Sequence, residues 1–188
     1  TRSLIKAGVK KIIAVEKDLK CVKIINYQKK IFLNKVVVIE GDFLKDHILR
    51  KTLREFKKYK KKKAIVFSNL PYKTAIPILS KIFKNRSYFQ KLILMFQKEQ
   101  AERIMAKKNT KTYGRISVMS NWLCDIKKKM HLSPNYFFPR PKIDSSILEF
   151  KFKKKIMKVD NEDLLSNVIK LCFSQRRKTI KNNLKKIN

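Results

Sequence analysis

The sequence predicts an α/β fold: an open, largely parallel sheet flanked by helices, with an antiparallel edge. Three observations predict it. Short apolar runs rich in Val and Ile recur at 11–15, 35–39, 64–67 and 91–96, each bounded by polar or turn-forming residues. The stretches between them carry helical apolar spacing, and strands alternating with helices imply parallel, right-handed βαβ units. Two later runs, 126–132 and 146–152, have no full helix between them and suggest antiparallel closing strands.

In chain order, 1–7 reads as the end of a helix with Gly8 at its C′ position. A buried strand over 11–15 closes on Glu16, and Asp18 suits the cap of a helix carrying Val22, Ile25 and Ile31. The run 35–39 ends in Glu40-Gly41-Asp42-Phe43, a turn with a carboxylate at the strand tip. Residues 46–59 suit a helix with Ile48, Leu49, Leu53 and Phe56 on its apolar side, followed by a basic loop at 60–63. The strand Ala64-Ile65-Val66-Phe67, expected to be buried, breaks into Ser68-Asn69-Leu70-Pro71-Tyr72, because Pro71 lacks an N–H and cannot continue a ladder. Helices are expected over 73–83, 98–106 and 115–123, with a basic loop at 109–114. A Pro-rich link spans Pro134 to Pro141, and an amphipathic helix over 161–173 is capped by Asp160 or Asn161. Arg176-Arg177-Lys178 opens a last basic helical stretch.

Composition narrows the partners. The 188 residues fit one domain, or one domain with a small appendage, and 44% hydrophobic content allows a sizeable core. Lys+Arg 48 against Asp+Glu 14 gives a net charge of +34, which favours a polyanion, nucleic acid first. The excess is mostly Lys scattered along the chain, so charge alone leaves specific RNA binding and general surface basicity both open. Cys21, Cys124 and Cys172 lack CxxC spacing and suit reduced, partly buried cytosolic thiols. His47 and His131 are too few and too separated for a metal centre, so no metal is expected. No apolar run approaches the ~18 residues of a membrane span, and no signal peptide is visible, so a cytoplasmic location is expected.

Glu16, Asp42 and Asn69 stand at three successive strand tips, where an open α/β sheet lines its ligand crevice. One such carboxylate suits ribose hydroxyls, and a second suits an adenine amino group. Each alone has a plainer reading as a helix cap or turn former; the three together favour a nucleoside. An Asn carbonyl accepts from an amino group and a Tyr face stacks on a planar base, chemistry suited to a flipped-out adenine.

Asn69-Leu70-Pro71-Tyr72 resembles the Asn-(Ile/Leu)-Pro-Tyr motif of the rRNA adenine N6,N6-dimethyltransferases, which use S-adenosylmethionine. The resemblance extends, in order, through Ala14-Val15-Glu16-Lys17-Asp18, Glu40-Gly41-Asp42, Gln97-Lys98-Glu99-Gln100-Ala101-Glu102-Arg103 and Tyr113-Gly114-Arg115-Ile116-Ser117-Val118. It resumes at Phe137-Phe138-Pro139-Arg140-Pro141-Lys142-Ile143-Asp144-Ser145 and ends at Phe173-Ser174-Gln175-Arg176-Arg177-Lys178-Thr179. The downstream pieces are closer to the small-subunit (KsgA/Dim-type) branch than to the erythromycin-resistance branch. The resemblance implies a Rossmann-like class I methyltransferase sheet over 1–153 and the start of a small helical C-terminal domain over 154–188. It also implies a Gly-rich loop and a first strand, neither of which is present after Thr1. A fragment that binds cofactor poorly and folds poorly is therefore expected.

The resemblance implies roles by position. Glu16 would hold the cofactor ribose and Asp42 the cofactor adenine, with Phe43 alongside. Asn69 would stand between S-adenosylmethionine and the target, its side-chain oxygen and the Leu70 carbonyl accepting from the target amino group. Tyr72 would stack on the flipped adenine, and Phe137 would take its other face or simply pack the Pro-rich link. Arg103, Arg115, Arg176, Arg177 and Lys178 would contact RNA phosphates. The expected function is N6,N6-dimethylation of adenines in small-subunit rRNA during ribosome biogenesis, by a monomer acting on the rRNA or small-subunit precursor. The alternatives are a non-catalytic RNA-binding remnant and an erythromycin-resistance-type large-subunit enzyme. A DNA adenine methyltransferase fits less well, since those more often carry Pro-Pro and an aromatic after the Asp or Asn.

Overall fold

The computed structural model describes residues 1–31, 35–59, 63–175 and 177–185. They fall into two compact units, 1–64 with 77–82 and 65–76 with 83–188.

In the first unit, α1 (Arg2–Lys6) ends at Gly8, whose φ of +85° is the left-handed conformation expected at that stop. Strand β1 (Ile12–Glu16) pairs in parallel with β2 (Val36–Glu40), from Ile12 opposite Val36 to Glu16 opposite Glu40. A parallel pair needs a crossover, supplied by α2 (Leu19–Ile31). Asp18 caps α2 as expected, its Oδ1 accepting from the N–H groups of Lys20 at 2.7 Å and Cys21 at 3.2 Å. Helix α3 (Asp46–Lys57) packs on both strands through buried Ile48 and Leu49. Gly41 joins β2 to this helix at φ +143°, and a Cβ there would overlap the Ile48 side chain, so only glycine fits the turn. Lys81 reaches the Leu44 carbonyl and Asp46 Oδ1; its ammonium, hydrogen-bonded at 2.6 Å, holds the Asp46 carboxyl below its ordinary range.

The second unit is built on a sheet in the order β3-β4-β6-β5: β3 (Ala64–Asn69), β4 (Phe89–Gln97), β6 (Ser145–Phe152) and β5 (Cys124–Leu132). Strand β6 runs antiparallel to both neighbours and is buried along most of its length, which fits the two closing strands expected. Phe150 meets Phe83 and Phe96 edge to face, with centroids 6.3 and 6.1 Å apart. Burial works against the charge of Glu149, but Lys91, 3.4 Å away, with Lys151 and Lys129, overcomes it and holds the carboxyl below its usual range. Edge strand β5 exposes Lys127, Lys128 and Lys129 and carries a bulge between Lys128 and Met130, two features that discourage edge pairing. Helix α4 (Ala75–Lys84) follows β3, and α5 (Lys98–Met105) follows β4. Helices α6 (Arg115–Leu123), α7 (Glu162–Cys172) and α8 (Ile180–Leu184) complete the unit, α6 packing on α5 and α7, and α7 on α8. Asn161 caps α7, accepting from the Leu164 N–H at 2.9 Å.

Four expectations need correction. Among the described residues the strands form two sheets rather than one. Strand β3 is not buried on both faces: it is a sheet edge whose side chains alternate, leaving Ile65 47% and Phe67 51% exposed. Cys21 is exposed rather than partly buried, because it lies on the outward side of α2. Arg177 and Lys178 precede the last helix instead of opening it, since Thr179 caps α8 through the Asn182 N–H. Part of the basic run 60–63, and Arg176, lie outside the described residues.

Two outcomes follow. Gly41→Ala would strain the turn and clash with Ile48, lowering stability by about 1–3 kcal/mol in urea unfolding. Burial pushes the Cys124 thiol up to about 12, so a thiol reagent at pH 8 should modify Cys21 in the native protein and reach Cys124 only after denaturation.

Candidate active site

Two clusters carry the chemistry, one in each unit. In the first, the parallel ladder brings the tips of β1 and β2 side by side, and the Gly41 N–H donates to the Glu16 carbonyl at 2.8 Å. Glu16 Oε1 accepts from the N–H groups of Lys17 at 2.8 Å and Asp18 at 2.9 Å, and Asp42 Oδ1 accepts from the Leu44 N–H at 2.8 Å. Both carboxylates therefore do the turn-forming work that the sequence left open. Each also has a second oxygen beyond these bonds, and both side chains are half-buried, as is Phe43. Two acceptor-only groups at adjoining strand tips match the hydroxyl and amino donors of an adenosine.

In the second unit, β3 ends at Asn69 and Pro71 turns the chain out of the sheet. Asn69, Leu70, Pro71 and Tyr72 line a cavity of about 380 Å³ together with Met95, Phe137, Phe138, Pro139 and Pro141. The site is thus an amide at the rim of an aromatic and proline-walled pocket, within the ~300–1,000 Å³ range of ligand sites. The Pro71 carbonyl accepts from the Thr74 N–H at 2.9 Å, Gln100 Nε2 donates to the Tyr72 carbonyl at 2.9 Å, and Tyr72 Oη lies 2.8 Å from Ser145 Oγ. Sequence reasoning brought Asn69, Leu70, Tyr72 and Phe137 to this site. It missed Met95, a core strand residue. Phe138, Pro139 and Pro141, and the tyrosine's partners Gln100 and Ser145, were inside quoted motifs but had no role assigned.

Of the basic candidates, Arg115, Arg177 and Lys178 are exposed, while Arg103 pairs with Glu99 at 2.6 Å. Arg177 and Lys178 sit in a loop held by Asn183, a buried residue of α8 that donates from Nδ2 to the carbonyls of Cys172 at 2.8 Å and Gln175 at 3.2 Å. Among the described residues no helix is long and apolar enough to cross a membrane, and no group of three His, Cys, Asp or Glu could hold a metal.

Parallel βαβ strands with carboxylate tips, and a strand end opening on an aromatic pocket, define a Rossmann-like methyltransferase fold, which the solved structures share. The model of the family described as ribosomal RNA adenine dimethylase matches residues 1–188, and the chain belongs to that family. A ribosomal RNA small subunit methyltransferase A from Mycoplasma mobile is 36% identical over 187 residues, covering 100% of this chain and 68% of that protein. A dimethyladenosine transferase from Plasmodium falciparum superposes with a TM-score of 0.79 at 28% identity, covering 100% of this chain and 65% of that one. The 23S rRNA methyltransferase ErmE, at 16% identity and a TM-score of 0.66, covers 94% of this chain and 67% of its own, and shares the fold. The chain thus spans about two thirds of the length of these relatives.

Replacing Asn183 with Ala would remove its donor from the Cys172 carbonyl and leave the Gln175 carbonyl with the Lys178 N–H alone. The expected loss is about 1–3 kcal/mol, with faster tryptic cleavage after Arg177 and Lys178 than in the parent.

Proposed function

We propose that the protein transfers methyl groups from S-adenosylmethionine to the N6 atoms of adenines in small-subunit rRNA, giving N6,N6-dimethyladenine. The observation that carries this reading is the cavity at the end of β3, where the Asn69 amide and the Tyr72 and Phe137 rings share one wall system. The names of the relatives support the small-subunit substrate, since the Mycoplasma mobile protein is a small subunit methyltransferase.

When bound, S-adenosylmethionine supplies an electrophilic methyl group. Glu16 would accept from its ribose hydroxyls and Asp42 from its adenine amino group, with Phe43 beside the base. Asn69 Oδ1 and the Leu70 carbonyl accept the two hydrogens of the target amino group. That nitrogen is a poor nucleophile because its lone pair is delocalised into the ring. Acceptors that strengthen their hold as the nitrogen becomes tetrahedral stabilise the transition state more than the ground state. Tyr72 stacks on one face of the flipped adenine and Phe137 on the other, fixing the direction of attack. Exposed Arg115, Arg177 and Lys178, with Arg176 and Arg103, would hold the RNA backbone, as the charge of +34 favours. The protein acts as a monomer in the cytoplasm, on the rRNA or small-subunit precursor and without a metal.

The test is transfer of tritiated methyl to small subunits that lack the modification, with large-subunit rRNA as the second arm. Asn69→Ala should lower transfer at least about 10²-fold while binding of the same RNA stays within a few-fold. Labelling of large-subunit rRNA alone would move the substrate assignment, and undiminished transfer by Asn69→Ala would remove the role given to that residue.

A further inference from the structure

We propose that Ser145 and Gln100 are positioning residues that clamp Tyr72 at both ends and hold its ring as the platform for the target base. This rests on the reading of Tyr72 given above. A tyrosine just outside a sheet can turn about χ1 and χ2, and a turned ring presents its edge rather than its face. Stacking that directs an in-line attack needs one ring plane, kept before the base arrives.

Two side chains from different elements supply that constraint. Tyr72 Oη and Ser145 Oγ are 2.8 Å apart, though the residues lie 73 positions apart in the chain. Ser145 is fully buried at the start of β6, opposite Gln97 of β4 and Leu132 of β5, so two ladders fix the backbone from which its hydroxyl projects. A phenol's O–H and its best lone pair both lie near the ring plane, so a fixed partner for Oη selects that plane as well as the ring's axis. From the first turn of α5, Gln100 Nε2 donates to the Tyr72 carbonyl at 2.9 Å and sets the peptide that carries the ring. Just before it, the Thr74 N–H and hydroxyl hold the Pro71 carbonyl at 2.9 and 3.2 Å.

Gln100 also shows that packing alone does not account for this arrangement. Its Oε1 is buried without a hydrogen-bond partner among the described residues, a state that disfavours folding. A leucine of similar size would avoid that burden, so the feature only the amide provides is its bond to Tyr72.

The experiment compares the full chain with Ser145→Ala, Tyr72→Phe, the double variant, Gln100→Leu and Tyr72→Ala. Methyl transfer to small-subunit rRNA is read beside the quenching of 2-aminopurine placed at the target position of a short RNA. Ser145→Ala and Tyr72→Phe remove the same bond from opposite sides, so either variant tests it if the other folds poorly. Each should lower kcat/KM by about tenfold, mainly in kcat, and weaken the quenching. The double variant should be no worse than the weaker single. Gln100→Leu should lower kcat while unfolding at the parent temperature or above. If the two single losses multiply in the double variant, or both single variants work at the parent rate while Tyr72→Ala does not, the clamp is overturned. Parent-rate transfer by Tyr72→Ala would instead overturn the platform reading, and the clamp with it.

Discussion

The antiparallel ladder between β4 and β6 is the constraint on which the second unit depends. It runs from Lys91 opposite Lys151 to Gln97 opposite Ser145, and the next bond, from the Lys98 N–H to the Asp144 carbonyl at 2.9 Å, carries it to the start of α5. Two things happen at that end. Strand β4 becomes the helix that presents Gln100, and β6 emerges from the Pro-rich segment that presents Phe137 and Phe138. Because a register slip of one residue would turn every side chain of β6 to the other face, the buried Leu148 and Phe150 lock the register that puts Ser145 against Tyr72. The core thereby sets the geometry of the pocket.

Charge is organised differently. Acidic residues are few, and several are already engaged: Asp46 with Lys81, Glu55 with Lys58, Glu99 with Arg103, Glu149 with Lys91, Glu162 with Arg86 and Asp163 with Lys84. Most of these pairs are solvent-facing and add little stability. The excess of 48 Lys and Arg over 14 Asp and Glu sustains a positive field over the molecule. A field of this kind raises encounter with a polyanion but selects no base; selection belongs to the pocket.

Local chemistry was legible in the sequence. Gly8 marked a helix stop and Gly41 a turn, Asp18 and the pair Asp160-Asn161 marked helix starts, and Pro71 marked the end of β3. These signals act within a few residues, so neighbours along the chain suffice to read them. The motif Asn69 to Tyr72 was equally plain, and its ordered companions pointed to the family. Strand β3 was misjudged because four apolar residues in a row look alike whether one face is covered or two.

The sequence by itself therefore determined which segments are strands and helices, where they stop, and which residue types stand at each strand tip. Only the tertiary structure decided that the strands divide between two sheets, that β6 inserts between β4 and β5, and that Ser145 and Gln100 meet Tyr72. The physical reason is range. A cap or a proline acts on its own turn, whereas a hydrogen bond between residues 72 and 145 exists only once a ladder far along the chain has chosen its register.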